Sequence, residues 1–224
     1  AHPLLHVIEL EVARGEQVFL AGSSGSGKST LLALVGGVLQ ADSGNIWILG
    51  RDLSAMRQAA RDQFRAEHVG FIFQQFNLLP YLSVLENVTL ACRFSQRRAQ
   101  RAQASASIND AARALLDSLG VKGKLLDRPV NALSIGQQQR VAAARALANE
   151  PPVLLADEPS GNLDLETSEI LHDVLFDLVR DHGTAMVVVT HNQALAGRTD
   201  RILRLSSGVL ELSDGRDGTG TVQA

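Results

Sequence analysis

At 224 residues, 45% hydrophobic and 20% charged, the chain can bury a substantial core as one large domain or two small ones. Its formal net charge of −3 argues against a nucleic-acid partner, which calls for a clearly basic face. A lone cysteine, Cys92, excludes an intramolecular disulfide and a cysteine metal cluster and makes the cytosol the expected compartment.

The longest unbroken apolar stretch, residues 31–39, includes two glycines and is far too short to cross a bilayer. No charged-then-apolar signal segment is found either, so any membrane role is expected to come through a partner. Of the 21 basic residues only three are Lys, and Lys28 is the sole one before Lys122. Where a compact ammonium must reach a phosphate, Arg is no substitute.

In chain order, Gln17–Ala21 reads as a short buried strand that runs into the glycine-rich turn 22–27, and an apolar helix follows over about 28–36. Residues 78–150 show no convincing strand, many Ala and Leu, and a polar Arg/Gln/Ser stretch over 93–107. A helical subdomain inserted into an α/β core is expected there. Further on, 153–156, 186–190 and 202–205 are aliphatic or β-branched runs bounded by turns. Within 165–181, Ile170, Leu171, Val174, Leu175, Leu178 and Val179 recur at helical spacing, with a stop at Gly183. Strands alternating with helices imply a mainly parallel sheet with helices on its faces. With no repeat and no linker, 1–224 reads as a single domain: α/β core 1–77 and 151–212, helical subdomain about 78–150, and a Gly-rich polar tail 213–224 expected to fray.

Gly22-Ser23-Ser24-Gly25-Ser26-Gly27-Lys28-Ser29-Thr30 matches the P-loop pattern in full. Its glycines let backbone amides converge on a triphosphate, the next helix points its positive end there, and Lys28 reaches the β- and γ-phosphates. Ser29 is placed to coordinate Mg2+. Val153-Leu154-Leu155-Ala156-Asp157-Glu158 has the form of a Walker B strand, with carboxylates at its C-terminal end, where open α/β sheets bind ligands. Asp157 would hold Mg2+ through its water shell, and Glu158 is the candidate general base for the attacking water. Leu133-Ser134-Ile135-Gly136-Gln137 opens a helix running to about Asn149. Ser134 is a good N-cap, and the free helix N-terminus can hold an anion. Read singly, these are also a flexible turn, an ordinary strand exit and a well-capped helix.

The P-loop, Gln74, the 133–137 helix start, Walker B and His191 in Thr190-His191-Asn192 occur in that order. The set resembles the nucleotide-binding domain of ABC transporters over nearly the whole chain. The resemblance implies a P-loop NTPase, RecA-like core with an inserted helical subdomain and a small N-terminal antiparallel β region. It also implies ATP and Mg2+ as cofactors, and a dimer, expected to be of identical subunits, that sandwiches two MgATP molecules. Gln74 resembles the Q-loop glutamine, which touches Mg2+ and the water while reporting to the membrane subunit. Residues 133–137 look like the signature motif, which contacts the γ-phosphate bound by the opposite subunit. Gly161-Asn162-Leu163-Asp164 looks like the D-loop, and His191 like the switch histidine near the γ-phosphate.

Gly70-Phe71-Ile72-Phe73-Gln74-Gln75-Phe76-Asn77-Leu78-Leu79-Pro80 with Leu85-Glu86-Asn87-Val88 is similar to the MacB/LolD branch. So are 134–147 and Glu158-Pro159-Ser160-Gly161-Asn162-Leu163-Asp164. That branch implies a transmembrane permease subunit of MacB/FtsX-like type, with the ATPase on the cytoplasmic face of the inner or plasma membrane. Export or cell-envelope transport is then the expected work. Ile135 departs from the family, which usually has Gly there, and is similar to DevA-like cyanobacterial exporters. The family's adenine-stacking aromatic would precede Ala1, which suggests a truncated or processed start.

Arg57, Arg61 and Arg65 recur every four residues and are expected to form a solvated face. Arg93, Arg97, Arg98 and Arg101 read likewise. His2, His6, His68, His172 and His182 show no metal-ligand spacing, and Trp47 is expected to pack, in the strand after Gly44. A soluble ABC-type ATPase of DNA repair or chromosome maintenance is the main rival, but it would insert a long coiled coil or a zinc module. Only 58 residues separate Gln74 from Leu133, and they contain no heptad array. A P-loop kinase or GTPase would not need Ser134–Gln137. A non-catalytic regulatory subunit would not need Lys28, Asp157, Glu158 and His191 together.

Overall fold

The computed structural model describes residues 4–93, 107–148, 150–161 and 163–212. Its strands are β1 (Gln17–Ala21), β2 (Trp47–Ile48), β3 (Arg51–Asp52), β4 (Val69–Ile72), β5 (Val153–Asp157), β6 (Ala185–Val189), β7 (Arg201–Ser206) and β8 (Val209–Leu212). Six of them make one sheet in the order β4-β5-β6-β1-β7-β8. All neighbours in it are parallel except β8, which runs antiparallel to β7. The fold is α/β with a mainly parallel sheet, as the alternation of strands and helices implied, and it accords with the P-loop NTPase core that the resemblance implied.

Successive side chains of a strand point to opposite faces, and both faces of this sheet are covered. Val18, Leu20, Leu155, Val187 and Val189 pack with Leu31 and Leu32 of α1 (Lys28–Val35) and Phe64 of α2 (Gln58–His68). Phe19, Leu154, Ala156, Met186 and Val188 pack on the other face. Their partners come from α3 (Val84–Arg93), α4 (Ile108–Ser118), α5 (Ile135–Leu147) and α6 (Leu165–His182), through Val88, Leu116, Val141 and Leu171. Two covered faces explain why these strands read as continuous apolar runs.

Within 78–150 the described residues form helices, joined by the 3-10 turns Gly123–Leu125 and Val130–Ala132 and one isolated bridge between Ser83 and Pro129. The polar residues 94–106, with Arg97, Arg98 and Arg101, lie outside the described residues, as does the tail 213–224. The helix expected over 165–181 ends at His182, and Gly183 caps it at φ 60°. Among the described residues, no helix is long and apolar enough to cross a membrane.

Two surface expectations are corrected. Trp47 does not pack: it is 65% exposed, because its strand has two residues and pairs only with β3 in a separate two-stranded ribbon. Nor do Arg57, Arg61 and Arg65 form one solvated face. Arg61 is buried, and Arg65 donates to the Gly37 carbonyl at 3.1 Å and to Asp62 at 2.9 Å. The aliphatic stems of such residues cover neighbouring backbone, here the turn after α1.

The ribbon turns through Leu49 and Gly50 at φ 51° and 73°, two positive angles of the kind a type I′ hairpin requires. A leucine is poorly suited there, at a cost of about 1 kcal/mol. Leu49→Asn should therefore raise stability by about 1 kcal/mol, read as a higher urea midpoint with an unchanged slope. A lower midpoint would show that the half-exposed Leu49 side chain supplies more through contacts than its backbone loses.

Candidate functional site

Four neighbouring parallel strands, β4-β5-β6-β1, release their chains at the same C-terminal edge. Gln74 lies two residues beyond β4, Asp157 ends β5 with Glu158 next, His191 lies two residues beyond β6, and the P-loop follows β1 directly. The sheet thereby gathers residues separated by more than a hundred positions.

The P-loop turns tightly against the core. A Cβ on Gly22 would sit 2.5 Å from the Leu205 carbonyl oxygen and 2.8 Å from Ser26 Oγ. Gly27 caps α1 at φ 100°, where a Cβ would also meet Leu5 at 2.8 Å. Gly25, by contrast, faces open space. The Lys28 ammonium lies along the loop, donating to the carbonyls of Gly22 and Ser23 at 2.9 and 2.8 Å. Ser26 is buried, and its hydroxyl has no hydrogen-bond partner.

Asp157 is buried at the end of β5. Glu158 follows with φ 49°, a left-handed backbone that costs a non-glycine residue about 1–3 kcal/mol and needs support from its surroundings. Support comes from three sides. The Glu158 N–H donates to the Val189 carbonyl at 2.8 Å. Gln139 of α5 donates to the carbonyls of Glu158, at 3.3 Å, and Pro159. The Gly161 N–H returns to the Glu158 carbonyl at 3.2 Å. The Glu158 carboxylate leans toward His191: Oε1 lies 3.4 Å from His191 Nε2, and Oε2 accepts from the His191 N–H at 3.4 Å. Oε1 is buried without a hydrogen-bond partner.

Residues 133–137 reach the surface by another route. Leu133 is buried, but Ile135 is 58% exposed. Ser134 and Gln137 form a capping box, each side chain accepting from the other's backbone N–H at 3.3 and 3.0 Å. The N–H groups of Ile135 and Gly136 are left as first-turn donors. A Cβ on Gly136 would meet Leu163 at 2.9 Å, so this helix start rests against the segment leading to Asp164. Asp164 caps α6, and hydrogen bonds from the Thr167 N–H and hydroxyl hold its carboxyl below the usual range.

Several structural partners carried no role in the sequence reading. Arg145, in α5, donates to the carbonyls of Phe76 and Asn77 at 2.7 and 2.6 Å. These residues follow Gln74 with φ 57° and 51°, so Arg145 pins a strained turn. Burial draws its pKa down from the ordinary value. Asn87, fully buried, ties the next turn through Leu79, Leu82 and Ser83. Ser160 and His172, both buried, place Oγ and Nε2 2.8 Å apart.

Burial lowers the His172 pKa from 6.5 to about 4, with the Arg198 charge acting in the same direction and Asp173 opposing it. The unfolded chain takes this proton near pH 6.5, while the folded chain resists it down to about 4. Stability from the neutral imidazole is thus present above 6.5 and lost as pH falls toward 4. Urea midpoints should drop across that window, and His172→Leu should flatten the drop. An unchanged slope in the variant would place its source elsewhere.

A P-loop sequence beside an Asp-Glu pair at the C-terminal edge of a parallel sheet is the arrangement of the P-loop nucleotide-binding proteins. The ABC transporter family profile matches residues 5–161, and the chain belongs to this family as an ATP-binding subunit with ATPase activity. The ABC transporter ATP-binding protein YbbA of Escherichia coli (strain K12), called uncharacterized, is 49% identical over 208 residues, covering 93% of this chain and 88% of that protein. The lipoprotein-releasing system ATP-binding protein LolD 2 of Caulobacter vibrioides is 44% identical over 210 residues, 94% of this chain and 89% of that protein. The macrolide export ATP-binding/permease protein MacB of Rhodopirellula baltica is 41% identical over 220 residues, 98% of this chain but 31% of that longer protein. Among solved structures, the dimeric post-hydrolysis state of the ATP-binding cassette MJ0796, bound to ADP and Pi, superposes with a TM-score of 0.84 at 37% identity, covering 93% of this chain and 90% of that one. These similarities place the chain in the MacB/LolD branch.

Proposed function

We propose that two copies of this chain close on two ATP molecules and that a separate membrane permease reads the closure. The observation that carries this is the shared sheet edge, where P-loop, Gln74, Asp157-Glu158 and His191 emerge from adjacent strands. Residues 22–30 hold the phosphates, with Lys28 exchanging its carbonyl partners for phosphate oxygens. The Ser29 hydroxyl, the Gln74 side-chain amide oxygen and, through water, the Asp157 carboxylate offer the hard oxygen donors that suit Mg2+. Mg2+ would neutralise charge on the phosphates and orient them. Glu158 takes the proton of the attacking water, and His191 stands beside it. Leu133, Ser134, Ile135, Gly136 and Gln137 present helix-start N–H groups to the γ-phosphate held by the opposite subunit, and Asp164 lies at the same interface.

The dimeric cassettes among the structural relatives support the pairing. Segment 78–150 acts as the helical subdomain beside the α/β core, and the permease is of the MacB/FtsX-like type. On this reading the chain works at the cytoplasmic face of the membrane through its partner. Metal removal tests the cofactor assignment: ATP turnover should fall to background in EDTA and return with added Mg2+. Undiminished turnover under chelation would overturn it.

A further inference from the structure

We infer that His172 is a positioning residue for hydrolysis: its buried contact with Ser160 fixes the 158–161 turn and, with it, the Glu158 carboxylate. The inference rests on the reading of Glu158 as general base.

The turn has little strength of its own. Glu158 is left-handed, and the local bonds are those from the Gly161 N–H to the Glu158 carbonyl and from the Leu163 N–H to the Ser160 carbonyl, at 3.2 and 3.0 Å. Gln139 grips the turn from α5 at the Glu158 and Pro159 carbonyls. Ser160 is gripped from the other side by α6. His172 is 2% exposed and Ser160 7%, and with 2.8 Å between Nε2 and Oγ one donates to the other in either tautomer.

The helix that carries His172 cannot shift easily. Its neighbours Leu171, Leu175 and Phe176 are fully buried, and its first turn is capped by Asp164, the far end of the same segment. A leucine would fill the core position at lower desolvation cost, so the imidazole is explained by its partner. Arg198, stacked over the Phe176 ring at 4.6 Å and paired with Asp173 at 2.7 Å, adds positive charge nearby and favours the neutral ring. A neutral hydrogen bond holds the turn without placing a second charge beside the carboxylate.

The test is a set of four variants of the full chain, assayed for ATP turnover, ATP affinity and melting temperature: Ser160→Ala, His172→Leu, the double change, and His172→Gln. Misplacement of a catalytic group lowers kcat, so each single change should reduce kcat about tenfold and leave KM for ATP unaltered. The double change should be no slower than either single one, and His172→Gln, which keeps a nitrogen near the Nε2 position, should recover most of the rate. A merely structural role would lower the melting temperature without this split between kcat and KM. Wild-type kcat in folded Ser160→Ala overturns the proposal, and so do losses that multiply in the double variant. Should His172→Leu fail to fold, Ser160→Ala and His172→Gln still decide. Glu158→Gln, assayed alongside, separates the two readings. A wild-type rate there removes the base assignment, whereas a slow Glu158→Gln with a full-rate Ser160→Ala removes only the positioning pair.

Discussion

Glu158→Gln should bind ATP about as well as the wild type and hydrolyse it 10²–10⁴-fold more slowly, roughly the span attributed to a general base. The substitution keeps the shape of a side chain whose Oε1 lies 3.4 Å from His191 Nε2 in the wild type, and removes the carboxylate that accepts the water's proton. Backbone support from Val189 and Gln139 does not involve the side chain, so the turn should persist. Loss of a negative charge near the triphosphate also favours the closed state. ATP-bound dimer should therefore accumulate, seen as an earlier gel-filtration peak with ATP than without. A monomer that hydrolyses at the wild-type rate would dismiss Glu158 from this role.

What could be read in the sequence was local or consecutive. β1 was legible as a buried apolar run leading into the glycine turn, and the 165–182 helix because one buried face imposes a period and its stop falls at Gly183; that Asp164 caps its start was not read. The P-loop was legible because phosphate binding needs its glycines and lysine in one uninterrupted run. Residues that work through a distant partner were not. Arg145 and Asn77 are 68 positions apart, and nothing in either neighbourhood marks the strained turn they share. Arg61 and Arg65 looked solvated because charge repeated along one helix face, yet that face lies on the turn after α1, at Gly37. Trp47 misled for the opposite reason. Aromatic residues usually imply a core, but a two-residue strand in a two-stranded ribbon has no second layer to supply one.

The composite nature of the site gives the sharper test. A Lys28→Ala subunit has no ammonium for the phosphates but keeps an intact 133–137 helix start. A Ser134→Arg subunit keeps its P-loop and loses the capping box shared with Gln137, while a long cation crowds the exposed N–H groups. Each variant alone should be inactive, since both sites of its dimer lack one half. In a heterodimer, the P-loop of the second subunit faces the helix start of the first, and that site is whole. Random mixing of equal amounts makes half the dimers mixed, each with one of two sites restored, so activity should return to about a quarter of wild type if the sites act independently. A lower recovery with demonstrated heterodimers would mean that hydrolysis needs both sites together. Complete failure to recover, with heterodimers shown by tagged co-purification and Ser134→Arg still folded, would mean that 133–137 does not serve the opposite subunit's nucleotide. The lost cap is worth only about 1 kcal/mol, so unfolding of the variant is not the expected explanation.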